Sequence, residues 1–124
     1  MKCSQCNAYN EVVQLDWIAE KKVSVEGFKC KECQQVNICR VTDNALRIDL
    51  FKEYDLLCEI RKLKYRLEKH RSGRDANTKM GMRIIEVDEE KLNKLETEYK
   101  ILRKANNNRC KVLIQWYSKY SDRL

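Results

Sequence analysis

A chain of 124 residues can hold one modest domain or two small units. No apolar run approaches the roughly 20 residues that a membrane span needs, and zero prolines, three glycines and 36% charged residues point to long helices rather than to a disordered tail. The net charge of +7 directs attention to nucleic acid, but its distribution matters more than its size.

Residues 1–42 form the first predicted unit. Cys3 and Cys6 make one C-x-x-C pair, Cys30 and Cys33 make another, and 23 residues separate the two pairs. Two residues between paired cysteines is the spacing at which a tight knuckle turns both sulfurs inward. Two such knuckles supply the four-thiolate tetrahedron that Zn2+ favours in closed structural sites, and iron is the other ion that the same cage accepts. The odd count of seven cysteines and a start at Met-Lys-Cys with no apolar signal segment speak against a disulfide framework. The absence of a βαβ context speaks against a redox C-x-x-C, and together these features predict a reducing, cytoplasmic setting. β-type runs at 11–15, 22–28 and 36–41 surround the knuckles. Asp16 to Ile18 are expected on a turn or a widened hairpin arm, with Trp17 as a core or interdomain plug. So short a unit buries too little apolar surface to fold unaided, whereas a structural zinc contributes about 10 to 16 kcal/mol in comparable peptides.

Through KCSQC at 2–6 and FKCKEC at 28–33, about a third of the chain resembles the zinc-ribbon superfamily. The resemblance implies a β ribbon closed by one structural Zn2+ on Cys3, Cys6, Cys30 and Cys33. Ribbons of this superfamily bind DNA, RNA, polymerases or other proteins, so the fold does not select a function. Many of their knuckles place Gly after the second Cys, where φ is positive; Asn7 and Gln34 stand there in this chain. Asn tolerates that conformation and Gln does so poorly, so the second knuckle is expected to be distorted.

Thr42, Asp43 and Asn44 are three successive candidate N-caps. A helical stripe follows through Leu46, Leu50, Tyr54, Leu57, Ile60, Leu63 and Leu67, and residues 71–73 end it. Residues 72–87, SGRDANTKMGMRIIEV, read as a tip loop, long for a helical-hairpin connection. A second helix is predicted from Asp88 as its cap, with Leu92, Leu95, Tyr99, Leu102, Asn106, Arg109, Leu113, Trp116 and Tyr120 on a heptad seam. Asn106 to Asn108 are poor helix formers that could break it; we read the helix as continuous. No internal repeat is evident. The predicted fold class is small α+β: an N-terminal β zinc ribbon (1–42), then a long antiparallel α-helical coiled-coil hairpin (43–124) with a basic and apolar tip loop (72–87).

Each predicted helix is acidic at its start and basic at its end: the net charge is negative over 43–60, positive over 61–83, negative over 84–98 and positive over 99–124. That ordering suits the helix dipole and makes two antiparallel helices complementary. Aligning Leu67 with Leu92 sets acid against base along the hairpin and carries Trp116, Tyr117 and Tyr120 to the joint with the ribbon, where they are expected to dock. The cations left over gather at the tip: His70, Arg71, Arg74, Lys79 and Arg83, with Asp75 the one acid among them.

Cys39 is read as a small residue of the last strand, although it could replace a ligand; Cys58 and Cys110 are read as packed thiols, and His70 as a dipole partner. No catalytic constellation assembles from the remaining residues, so an enzyme is not expected. Two functions remain. The first is a nucleic-acid-associated regulator, resembling in architecture the small zinc-ribbon translational activators of phages and, with module order reversed, the polymerase secondary-channel regulators. Its contacts would come from Arg71, Arg74, Lys79 and Arg83. The second is a protein-interaction adaptor or inhibitor, of a kind common in viruses and mobile elements, whose partner, such as a polymerase, meets Met80 and Met82 at the tip or an outer helical face. Against both stands the plainer reading that Ile84, Ile85 and Val87 merely fold back to close the hairpin. An outer apolar face left after closure would also allow two copies to pair.

Overall fold

The structure, a computed structural model, describes residues 1–122; Arg123 and Leu124, which belong to the expected hairpin segment, lie outside the described residues. The chain is α+β: strands β1 (Val13–Ile18), β2 (Val23–Lys29) and β3 (Val36–Thr42), then helices α1 (Asn44–Ser72) and α2 (Lys79–Asp122). The strands make one antiparallel sheet in the order β1-β2-β3. Two compact units result, one from Met1–Ile48 with the chain from Asn106 onward, the other from Asp49–Ala105. No helix among the described residues is long and apolar enough to cross a membrane.

In the first unit β1 starts later than its sequence run suggested and continues through Asp16, Trp17 and Ile18. A bulge makes this possible, because the register steps from Gln14 opposite Glu26 to Asp16 opposite Val25 and leaves Leu15 as the extra residue. Ile18 then joins Val23, Val25 and Val41 in the core, and Leu113, Ile114, Trp116, Tyr117 and Tyr120 of α2 pack on it. Strand alternation turns Trp17 the opposite way from Ile18. The expected plug is instead 48% exposed, with the Arg47 guanidinium 5.4 Å from its ring centre. A second irregularity, with Glu26 opposite Arg40 but Gly27 opposite Ile38, leaves Cys39 as the extra residue of β3. Gly27 is required here, since a Cβ at this position would collide with the Asn37 carbonyl. That close approach seats the start of β3 beside the knuckles.

Asp43 caps α1, its Oδ1 accepting the Leu46 N–H at 2.7 Å. In the second unit Ile60, Leu63 and Leu67 of α1 are buried as the stripe predicted. Tyr54 is not, being 61% exposed, because at that level the inward face of a 3.6-residue helix passes through the half-buried Glu53. The larger correction concerns α2, which begins at Lys79 rather than after Asp88. Thr78 is its cap: the hydroxyl accepts the Gly81 N–H at 3.0 Å. The tip loop therefore shrinks to residues 73–78. The seam extends backward through Gly81, Ile85 and Asp88 at the same alternation of four and three, all turned inward. Helical structure also runs unbroken through Asn106, Asn107 and Asn108, with Asn106 buried.

Ion pairs record the antiparallel register in the second unit. Lys64 meets Glu96 at 3.5 Å and Arg71 meets Glu89 at 2.6 Å, a register within one residue of the Leu67 to Leu92 alignment. Exposed pairs of this kind stabilise by about 0 to 1 kcal/mol each, so they select orientation more than they hold the fold.

Candidate metal centre and the hairpin tip

Two turns of the same construction build the metal centre. The Cys3 N–H donates to the Ala8 carbonyl at 2.8 Å while the Asn7 N–H donates back to the Cys3 carbonyl at 3.0 Å. In the second turn Cys30 N–H donates to Gln35 and Gln34 N–H donates to Cys30, both at 2.9 Å. Asn7 and Gln34 each close their knuckle with positive φ, at 62° and 65°. The second knuckle is thus as regular as the first, and Gln34 accepts a left-handed conformation that costs a non-glycine residue roughly 1 to 2 kcal/mol.

The four sulfurs of Cys3, Cys6, Cys30 and Cys33 lie within 4.8 Å of one another. Cys3 and Cys33 approach to 3.6 Å, Cys6 and Cys30 to 3.4 Å. A tetrahedral ion with metal–sulfur bonds of about 2.3 Å needs sulfurs about 3.8 Å apart, so the set fits a Zn2+-sized ion with small adjustments. Cys3 and Cys30 are buried against Phe28, whereas Cys6 and Cys33 are exposed. Cys39 packs beside this cluster, its sulfur 3.1 Å from that of Met1, and is not among the four.

Proton affinity divides the four in the same way. The N–H groups of Cys33 and, more weakly, Glu32 bring Cys30 down to about 6 against the opposing effect of burial. Cys3 is lowered by the N–H groups of Cys6 and Gln5. Cys6, although the Ala8 N–H favours its thiolate, is pushed up to about 12 by neighbouring Cys30 and by partial desolvation of its sulfur beside the other three. Cys33 is also raised, desolvation of its sulfur and Cys3 overriding the Gln35 N–H. A dication binds thiolates, so metal binding to these four cysteines would release protons and depend on pH.

Two asparagines that the sequence reading passed over touch the site. Asn10 Nδ2 donates to Cys30 Sγ at 3.5 Å and its Oδ1 accepts the Lys31 N–H at 3.2 Å. Asn37 Nδ2 donates to Cys3 Sγ at 3.5 Å and its Oδ1 accepts the Ser4 N–H at 3.3 Å. Each asparagine stands four residues after the second cysteine of one knuckle and holds the first cysteine of the other. The signal was present as a repeated C-x-x-C-x-x-x-N, at 3–10 and again at 30–37. It corrects the expectation that the chain has no internal repeat.

At the tip the structure separates the candidate contact residues. Arg71 is not among the leftover cations, because Glu89 holds it at 2.6 Å. Arg66 is likewise engaged, through Nε and Nη2 to the two oxygens of buried Asp88 at 3.0 and 2.6 Å. Asp88 is therefore a pairing residue in the seam and not a cap, and Arg66 holds its carboxyl below the usual range. Arg74, Lys79 and Arg83 make no ion pair among the described residues. Met80 and Arg83 line one open groove with Ile84, Val87 and His70, and Arg74 shares a neighbouring hollow with Met80. Lys79 and Met82 lie outside both. Met80, Met82, Ile84 and Val87 are exposed while Ile85 turns inward, so of the three residues expected to close the hairpin end only Ile85 does so.

Comparison of the chain with protein-family models, with curated proteins and with solved structures found no match. The site itself therefore carries the assignment: four cysteines arranged as in a zinc ribbon, on a three-stranded sheet followed by two long helices.

Proposed function

We propose that this is a small non-enzymatic regulatory protein, folded around one structural Zn2+ on Cys3, Cys6, Cys30 and Cys33, that binds nucleic acid through the tip of its helical hairpin. Four protein sulfurs complete a tetrahedral shell and leave no position for a substrate, which supports a structural ion rather than a catalytic one. The observation that favours the nucleic-acid reading is the grouping of Arg74, Lys79 and Arg83, which make no ion pair among the described residues, at a short loop whose one acid is Asp75. Cations without partners are what phosphate contact uses. Fluorescence anisotropy with single-stranded and duplex DNA and RNA at several salt concentrations tests this. Three phosphate contacts give a log–log salt slope of roughly −2 to −3, and reversing Arg74, Lys79 and Arg83 to Glu abolishes binding. A flat salt response, or no binding to any of these probes, overturns it.

A second reading, a protein partner such as a polymerase, draws support from the exposure of Met80 at 77% and Met82 at 60%. Under that reading Met80→Ser with Ile84→Ser removes the partner from a pull-down out of the native cell while leaving helicity unchanged. Retention of the partner by that variant counts against the tip as its site.

A further inference from the structure

We infer that Asn10 and Asn37 are positioning residues of the metal centre, each locking one sulfur of the opposite knuckle so that Cys30 and Cys3 form its permanent ligand pair and Cys6 and Cys33 its exchangeable pair. The inference rests on the reading of the four cysteines as a metal site and goes beyond it by ranking the ligands.

Three observations converge. The contacts are reciprocal and equivalent: each carboxamide donates to a sulfur at 3.5 Å and accepts the N–H of the next residue, Lys31 or Ser4. Each is also fixed from behind, Asn10 by donating to the Ala8 carbonyl at 3.1 Å and Asn37 by donating to the Gln35 carbonyl at 3.2 Å. Ser4 Oγ adds a donor to Asn37 Oδ1 at 2.9 Å, and Asn10 is buried at 5% exposure. A side chain tied at both ends in this way cannot rotate away from the sulfur without losing its other bonds. Finally, the two sulfurs so held are the buried ones, whereas Cys6 and Cys33 are exposed and receive no side-chain N–H donor among the described residues.

An N–H donor withdraws electron density from a coordinated sulfur and lowers its nucleophilicity, and its fixed direction restricts where the sulfur can sit. Groups in that outer position typically change metal affinity by about 10 to 100-fold when removed. The same bonds also hold the knuckles to each other, since each asparagine belongs to one turn and bonds the backbone of the other. A ligand clamped on both sides stays; an exposed ligand without a clamp is the one that leaves or reacts first.

The test compares the full chain with Asn10→Ala, Asn37→Ala and the isosteric Asn10→Asp and Asn37→Asp. The Asp variants keep the acceptor for Lys31 or Ser4 and lose the donor to sulfur. Zinc affinity is measured by competition with a chromogenic chelator, and the sulfur-to-metal charge-transfer band is recorded at saturating Co2+, where loading no longer depends on affinity. Limited alkylation of the zinc-loaded wild type is mapped by mass spectrometry. The expected result is a loss of zinc affinity of about 10 to 100-fold for each Ala variant, a charge-transfer band at lower energy in Ala and Asp variants alike, and first alkylation at Cys6 and Cys33. An unmoved band in all four variants, or first alkylation at Cys3 and Cys30, overturns the inference. Failure of the wild type to bind either metal would refute the metal reading itself, a separate outcome.

Discussion

Tyr117 donates its hydroxyl to the Asp16 carboxylate at 3.0 Å, joining the far end of α2 to the bulged part of β1. Burial and the Asp16 charge both push the Tyr117 phenol up from its ordinary value. A group whose folded pKa is raised contributes fully below its unfolded value, near 10, and loses that contribution as pH rises through the folded value. Tyr117→Phe should therefore lower stability by about 1 kcal/mol at neutral pH and flatten the alkaline limb of the unfolding curve. Urea unfolding of zinc-loaded protein at pH 7 and above pH 10 reads both. Equal stability of the two proteins at pH 7 would show that the bond contributes nothing.

The hairpin has the opposite pH signature. Asp88 is held low by its bonds to Arg66, so its contribution is complete above the ordinary carboxylate range near pH 4 and is lost as pH falls through the depressed folded value. Acid titration followed by circular dichroism should show helix loss that Asp88→Asn brings on already at neutral pH and makes less dependent on acid. A variant with the wild-type acid transition would remove Asp88 from the account.

Gly81→Ala sets helix propensity against space. Ala favours a helix interior over Gly by about 1 kcal/mol, yet a Cβ on Gly81 would run into the Asp75 carbonyl. That obstacle is backbone of the tip loop and cannot swing aside as a flexible side chain would. The substitution should lower the melting temperature and loosen residues 73–78 to proteolysis. A raised melting temperature would mean that the loop relaxes without loss.

Relief of strain should be measurable at Gln34, whose φ of 65° suits glycine. Gln34→Gly is expected to stabilise the zinc-loaded protein by about 0.5 to 1 kcal/mol. Asn7→Gly should give less, because Asn already tolerates this conformation. Chemical denaturation of the two variants side by side provides the comparison.

What was legible in the sequence follows from how local each signal is. Cysteine spacing, a cap within residues 42–44 and the stripe through Ile60, Leu63 and Leu67 depend on neighbours a few residues away, and the structure places them as read, with Asp43 the cap among its three candidates. The start of α2 was hidden because two of its first three seam positions, Gly81 and Asp88, interrupt an apolar period even though the spacing continues through Ile85. Charge alone could not show that Arg71 would reach Glu89, nor that Asp88 would be buried under Arg66. Trp17 was misplaced because the β1 bulge, invisible in the residue types, decides which of Trp17 and Ile18 enters the core. Asn10 and Asn37 resemble ordinary turn residues until the two knuckles face each other.

The central claim is that one metal ion closes the Cys3, Cys6, Cys30 and Cys33 cluster and holds the sheet unit together. Elemental analysis of purified protein, joined to circular dichroism and tryptophan fluorescence before and after chelation, tests it most directly. The account predicts one zinc per chain, with loss of the Trp17 and Trp116 environment on chelation and its return when zinc is restored. Protein that carries no stoichiometric metal, and whose sheet unit is unchanged by chelator, would contradict it.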